Sequence, residues 1–81
     1  MYLEIITPDK KVFEGEVAGA KFPGTQGSFE VLNNHAPIIS TLENGEIRVT
    51  TSAGQQFFQV DGGVVEVLNN KIIVLAESIT A

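Results

Sequence analysis

The chain has 81 residues, of which 43% are hydrophobic, and ten acidic side chains against five basic ones give a net charge of −5. This length fits one domain spanning residues 1–81, and the acidic balance argues against nucleic acid as a partner, because phosphate contacts are made chiefly by Lys and Arg. With no cysteine and a single histidine, the chain offers neither a disulfide nor a cluster of soft metal ligands, so we expect no metal and no cofactor.

The apolar runs, such as residues 72–76, are far shorter than the roughly 20 residues that a membrane span needs. We therefore expect no direct membrane insertion. Glu4 and Asp9 stand where a secretory leader would be basic or apolar, so the cytoplasm is the expected compartment.

Branched residues dominate the apolar set, since Val and Ile total 17 against 12 for Ala, Leu and Met, and this bias favours strands. In chain order, the runs between turn-forming residues predict strands at 2–7, 12–17, 16–22 (past a kink at Gly19), 28–32, 37–42, 45–51, 55–61, 64–68 and 71–76. Asn44-Gly45 and Asn69-Asn70 suit the positive φ values of tight hairpin turns. The pattern is typical of an all-β fold, an antiparallel β-sandwich of about eight to ten short strands.

Few residues carry a signal of chemistry. His35 precedes Ala36-Pro37 and is interpreted as a loop histidine, and no serine lies in a nucleophile-elbow context. Gly62-Gly63 is not followed by a helix, which indicates a tight turn or a bulge at a close backbone approach rather than a phosphate-binding loop. We therefore predict no catalytic residue and no enzymatic activity.

Two features leave a binding role open. Residues 23–28, with the sequence PGTQGS, form a polar loop that is either a plain connector or an exposed contact loop. Phe57-Phe58 places one ring on each face of its strand, so one ring is expected outside the core, where it hints at a partner surface.

The order of the segments resembles the N-terminal β-sandwich domain of the epsilon subunit of bacterial F-type ATP synthase. Four pieces carry the resemblance: LEIITP (3–8) leading into VFEG (12–15); FPGTQGSFEVL (22–32); HAPII (35–39); and GEIRV (45–49) with VDGGVVEV (60–67) and IVLAE (73–77). Together they cover nearly the whole chain. Family members usually continue into a pair of C-terminal helices, whereas this sequence stops at Ala81, so we expect the sandwich domain without the helical hairpin.

The resemblance implies a central-stalk subunit that binds the gamma subunit and the c-ring and couples proton-driven rotation to ATP synthesis, as a peripheral component on the cytoplasmic face of the bacterial inner membrane. By position, the implied c-ring contacts are Gln26, Gly27, Ser28 and Phe29, and the implied gamma contacts are Thr7, His35 and Ser40.

The sequence departs from the family at two places near these contacts. Ser28 stands where an acidic residue is frequent, with Glu30 two positions later, and Asn33-Asn34 replaces a frequent Pro-Gly pair. The alternatives are a small β-sandwich module that binds protein or carbohydrate, and an acidic inhibitor or small hydrolase that uses His35.

Overall fold

A computed structural model describes residues 1–80, which form eight strands and the turns between them. The strands are β1 (Tyr2–Ile6), β2 (Lys11–Glu16), β3 (Gly19–Phe22), β4 (Phe29–Leu32), β5 (Ile38–Thr51), β6 (Gly54–Leu68), β7 (Lys71–Ala76) and β8 (Ile79–Thr80). Within residues 1–80 no helix has the length and apolar character to cross a membrane.

One hydrogen-bonded sheet runs in the order β2-β1-β7-β6-β5-β3-β4, with β8 paired to β6. Every strand pair is antiparallel except β1 with β7, which is parallel. The exception arises because the hairpin to β2 occupies one edge of β1. The other edge is left for β7, whose direction is set by its own hairpin with β6.

The long strands β5 and β6 fold this sheet into two layers. The second half of β6 pairs with β7 and the first half with β8, while only the second half of β5 pairs with β3. The hairpin bends at Gly62 and Gly63, whose φ values are 84° and 147°. Phe13 of β2 contacts Phe58 across the layers, with ring centroids 6.0 Å apart. The prediction of an all-β sandwich is therefore confirmed, with eight strands.

The predicted hairpin turn at Asn44-Gly45 is wrong. Asn44 pairs with Asp61 and Gly45 with Val60, so the ladder continues through both residues and the predicted strands 37–42 and 45–51 are one strand. Glycine is needed at position 45 for space, because a Cβ there would lie 2.6 Å from Pro23 Cβ.

Gly62-Gly63 is likewise a bend inside β6 and not a chain reversal. The close backbone approach predicted there is present, since a Cβ on Gly63 would overlap the Leu75 carbonyl oxygen and lie 2.9 Å from Ala76 Cα. The turn at Asn69-Asn70 is confirmed, with φ values of 51° and 61°.

The core lies between the layers and is built from alternate strand positions. Leu3, Ile5, Val65, Val67, Ile72 and Val74 line the first layer, and Ala20, Phe22, Val31, Ile47, Val49, Phe58 and Val60 line the second. Among the described residues, no polar or charged residue is buried.

The register defines two ends of the sandwich. One end, called the kink end below, carries the bend of the β5–β6 hairpin. There Ile6, Gly63 and Ala76 lie side by side. At the opposite end lie the Asn69-Asn70 turn and the loop before β5, joined by a hydrogen bond from the Asn34 N–H to Asn70 Oδ1 at 2.7 Å.

Candidate functional site

The loop of residues 23–28, called the contact loop below, projects from the kink end. Gly24 forms an isolated bridge with Leu42 at the bend of β5. The Gly27 N–H donates to the Gly24 carbonyl at 3.0 Å, which closes a turn at the tip. The tip is exposed, while Gly24 is buried.

The four c-ring positions taken from the resemblance differ in accessibility. Gln26, Gly27 and Ser28 are exposed at the tip, whereas Phe29 is half-buried at the start of β4. The Phe29 ring packs against Phe22, with centroids 5.7 Å apart. Three of the four positions are thus available for contact, and the fourth, Phe29, anchors the loop.

The acidic residue of β4, the strand that follows the contact loop, forms an ion pair away from the loop. Glu30 accepts a hydrogen bond from Arg48 Nη2 at 2.9 Å on the outer face of the second layer. The contact loop therefore presents hydroxyl, amide and backbone groups, without a charge of its own.

The three gamma positions taken from the resemblance do not come together. Thr7 follows β1 at the kink end, where its hydroxyl donates to the Lys10 carbonyl at 3.1 Å. His35 lies at the opposite end, with Nδ1 2.8 Å from the Ala36 carbonyl oxygen. Ser40 lies between them on β5, half-buried, on the side of the strand opposite to Ile39.

The outer surface of the first layer carries an apolar face formed by Ile39, Val64, Ile73 and Leu75. Cross-strand pairing aligns them, since Val64 pairs with Leu75, and Glu66 lies between Ile39 and Ile73. Ile39 is 73% exposed and Leu75 is 56% exposed. Contiguous exposed apolar side chains on one sheet face are typical of a surface that another protein covers.

Shallow grooves line this face, and two of them matter for the predicted gamma positions. One, of about 230 Å³, is lined by the apolar face and Glu66. The other, of about 330 Å³, runs between Leu75 and the Thr7-Pro8 turn at the kink end. Thr7 thus borders the apolar face.

Charged groups border the same layer on its β1–β2 side. Lys11 Nζ lies 2.7 Å from Glu4 Oε2 and 3.3 Å from Glu14 Oε1, and the Tyr2 hydroxyl donates to Glu14 Oε2 at 2.7 Å. The hydrogen bond from Tyr2, together with Lys11, lowers the pKa of the Glu14 carboxyl, and the same bond raises the pKa of Tyr2. The network lies at the surface, with Tyr2 and Glu4 half-buried, and it is a polar rim beside the apolar face.

Across residues 1–80 no group of three or more His, Asp or Glu side chains is placed to hold a metal ion. What the sequence interpretation missed is the apolar face itself. Its signal was present in the consecutive branched residues of β7 and of the second half of β6, because strands with apolar residues on both faces do not alternate.

The fold and these two surfaces define a small β-sandwich suited to contacts with other proteins. A sequence model of the ATP synthase delta/epsilon chain beta-sandwich domain matches residues 1–81, and the chain belongs to this family. The family is a non-catalytic part of ATP synthase, so the prediction that the chain is not an enzyme is confirmed.

The chain is similar to several proteins named ATP synthase epsilon chain. It is 39% identical to the one from Chlorobium limicola and 40% identical to the one from Chlorobaculum tepidum, each over 79 residues that cover 96% of this chain and 90% of the relative. It is 38% identical to that of Salinibacter ruber, covering 95% of this chain and 58% of that longer relative.

Two solved structures share the fold. The Euglena gracilis mitochondrial ATP synthase (OSCP/F1/c-ring) contains a chain with a TM-score of 0.90 and 20% identity, covering 96% of this chain and 51% of that one. The central stalk/c-ring of Tetrahymena thermophila mitochondrial ATP synthase gives a TM-score of 0.83 at 17% identity, covering 98% and 64%. At these identities the likeness establishes the fold alone.

Proposed function

We propose that this chain is a rotor subunit of the central stalk of F-type ATP synthase, which binds the gamma subunit and the c-ring and thereby couples proton-driven rotation to ATP synthesis. Family membership is the observation that carries the proposal. It supports, as part of the same proposal, a peripheral location on the cytoplasmic face of the bacterial inner membrane. The chain's role is mechanical, because torque passes through it from one partner to the other.

The apolar face supports a stable partner on the first layer, and we assign that partner as gamma. A permanent interface has an apolar centre and a polar rim, and here the Glu4, Lys11 and Glu14 network supplies a rim beside Ile73, the partner of Glu4 in the β1–β7 register. Of the three gamma positions taken from the resemblance, Thr7 borders this surface. Ser40 lies on β5 on the side opposite to Ile39, so its side chain is not part of the apolar face.

The contact loop supports the second interface, with the polar loops of the c-ring. Gln26, Gly27 and Ser28 are exposed at a tip without charge, and that surface fits hydrogen bonding to polar loops. Its position at the kink end leaves most of the first layer free for gamma, so both partners can bind at once.

The gamma assignment is tested by Leu75→Glu, with Leu32→Glu as the matched control. Both leucines lie on strands and are 56% and 55% exposed, but Leu32 belongs to the second layer. Losing one buried leucine at an interface costs about 2 kcal/mol, or roughly thirtyfold in affinity. Titration calorimetry with gamma is expected to detect that loss for Leu75→Glu and little change for Leu32→Glu. Equal affinities would refute the assignment.

The c-ring assignment is tested by Ser28→Lys, with Ser52→Lys in the β5–β6 turn as the control. Both serines are exposed in turns, so neither variant is expected to lower the free energy of unfolding by more than about 0.5 kcal/mol. In the assembled enzyme, Ser28→Lys is expected to lower proton pumping per ATP hydrolysed, and Ser52→Lys to leave it unchanged. If Ser28→Lys unfolds the domain, the loop is structural and the assignment is wrong.

A further inference from the structure

The contact loop is tied to β5 by a pair of threonines, Thr25 and Thr41, called the threonine clamp below. Their hydroxyl oxygens are 2.7 Å apart, and the Thr25 N–H donates to the Thr41 carbonyl at 3.1 Å. A main-chain bond and a side-chain bond thus join the same two residues. Sixteen positions separate them in the sequence, so the clamp is a tertiary contact.

The rest of the loop is fixed on both sides of the clamp. The Glu43 N–H donates to the Pro23 carbonyl at 2.9 Å. Gly24 is enclosed, since a Cβ there would lie 2.7 Å from the Gly27 carbonyl oxygen and 2.9 Å from the Phe29 ring. Among the described residues, the tip residues 26–28 have no such bond to β5, and their turn is closed by the bond from the Gly27 N–H to the Gly24 carbonyl.

We propose that the threonine clamp positions the tip of the contact loop for the c-ring, so that Thr25 and Thr41 are positioning residues for torque transfer. This inference rests on the proposed function of the loop. A loop that is ordered before binding loses less conformational entropy when it binds, and a loop that does not yield under load passes force directly to the bend of β5. At that bend, Leu42 is buried in the core and holds β5 in place.

The first experiment measures loop order in the isolated chain by amide hydrogen exchange. Thr25→Val removes one hydroxyl of the clamp and keeps the side-chain shape, and the exchange of the Thr25 and Gly27 amides is expected to rise about fivefold. Thr25→Ser retains the hydroxyl and is expected to restore slow exchange. Thr41→Val should have the same effect as Thr25→Val, and the double variant no more than either one. Unchanged exchange in both single variants would overturn the inference.

The second experiment measures the affinity of the same variants for purified c-ring in detergent micelles, beside Ser28→Lys and the control Thr50→Val. Thr50 lies on β5 outside the clamp. We expect about threefold to fivefold weaker binding for Thr25→Val, wild-type binding for Thr25→Ser, and no change for Thr50→Val.

The outcomes separate the clamp from the loop's function. If Ser28→Lys weakens binding while Thr25→Val loosens the loop without weakening it, the positioning role is refuted and the proposed contact stands. If neither Ser28→Lys nor Thr25→Val changes the affinity, the loop does not contact the c-ring and both proposals fail.

Discussion

Gly63 is the position where the fold tolerates a side chain least, and Gly63→Ala is the sharpest test of how the sandwich is held together. Its φ of 147° costs an L-residue about 1–2 kcal/mol. Its new Cβ would also overlap the Leu75 carbonyl oxygen and lie 2.9 Å from Ala76 Cα, both on the backbone of β7. Backbone cannot rotate away as a side chain can, so β6 and β7 must separate at the Gly63–Ala76 pair.

The separation weakens the hydrogen-bonded ladder and forces local repacking. Together these lower the free energy of unfolding by about 2–3 kcal/mol more. We therefore expect Gly63→Ala to lower the free energy of unfolding by about 3–5 kcal/mol. That is a large share of the roughly 4–12 kcal/mol typical of a chain this size.

Gly54→Ala is the matched control, because Gly54 has a φ of 127° and no atom within 4 Å of the added Cβ. Gly54→Ala has the backbone strain without the steric overlap, so it is expected to lower the free energy of unfolding by about 1–2 kcal/mol. Urea unfolding followed by far-ultraviolet circular dichroism separates the two. With a slope of about 1 kcal/mol per molar, the midpoint of Gly63→Ala should lie about 2 M below that of Gly54→Ala. Midpoints within about 0.5 M of each other would refute the close approach of β6 and β7 as the cause.

Three further outcomes are expected. Asn70→Ala should lose about 2 kcal/mol of stability in urea, because it strains a φ of 61° and removes two side-chain hydrogen bonds, whereas Asn69→Gly should be nearly neutral. Ile5→Ala should cost about 2–5 kcal/mol in the same assay, because the side chain is fully buried. Tyr2 is the sole tyrosine, so tyrosinate absorbance reports it alone. Its pKa should exceed 10.0, and the stability linked to its protonated form is complete below pH 10.0 and lost as the pH rises through the folded pKa. Glu14→Gln should return the midpoint toward 10.0, and a midpoint unmoved by that change would contradict the hydrogen bond as its cause.

The alternation of side chains made most of the core predictable. Phe57 and Phe58 were expected on opposite faces, and Phe58 is buried while Phe57 is 48% exposed. Ile47 and Val49 were expected on one face against Arg48, and both are fully buried. The alternation of side chains between the two faces of a strand depends only on neighbouring residues, so it can be predicted from a single sequence.

Turn chemistry was predictable only where the distant contacts agree with the local preference. Asn69-Asn70 takes the positive φ values that asparagine tolerates, and the hydrogen bonds of Asn70 to Asn33 and Asn34 are made by the same turn. At Asn44-Gly45 the same local preference is overridden, since Gly45 packs against Pro23 and the β5–β6 ladder runs through it. That contact joins residues far apart in the chain, which turn propensities do not register.

The candidate site was predictable in part. The glycine-punctuated loop of residues 23–28 was recognised as a possible contact surface, but its tether to Thr41 depends on the bend of β5. The apolar face needed the register of three strands before Ile39, Val64 and Leu75 became neighbours.

The parallel pairing of β1 with β7 has a consequence for biosynthesis. β1 is the first strand of the domain to be made, and it finds one of its two neighbours only when β7 has been made. Until then the nascent first layer lacks a central partner, and its branched residues stay open to solvent or to chaperones. Native assembly of this domain is therefore expected to wait until β7 has emerged, and to proceed at the slower rates typical of chains dominated by distant contacts.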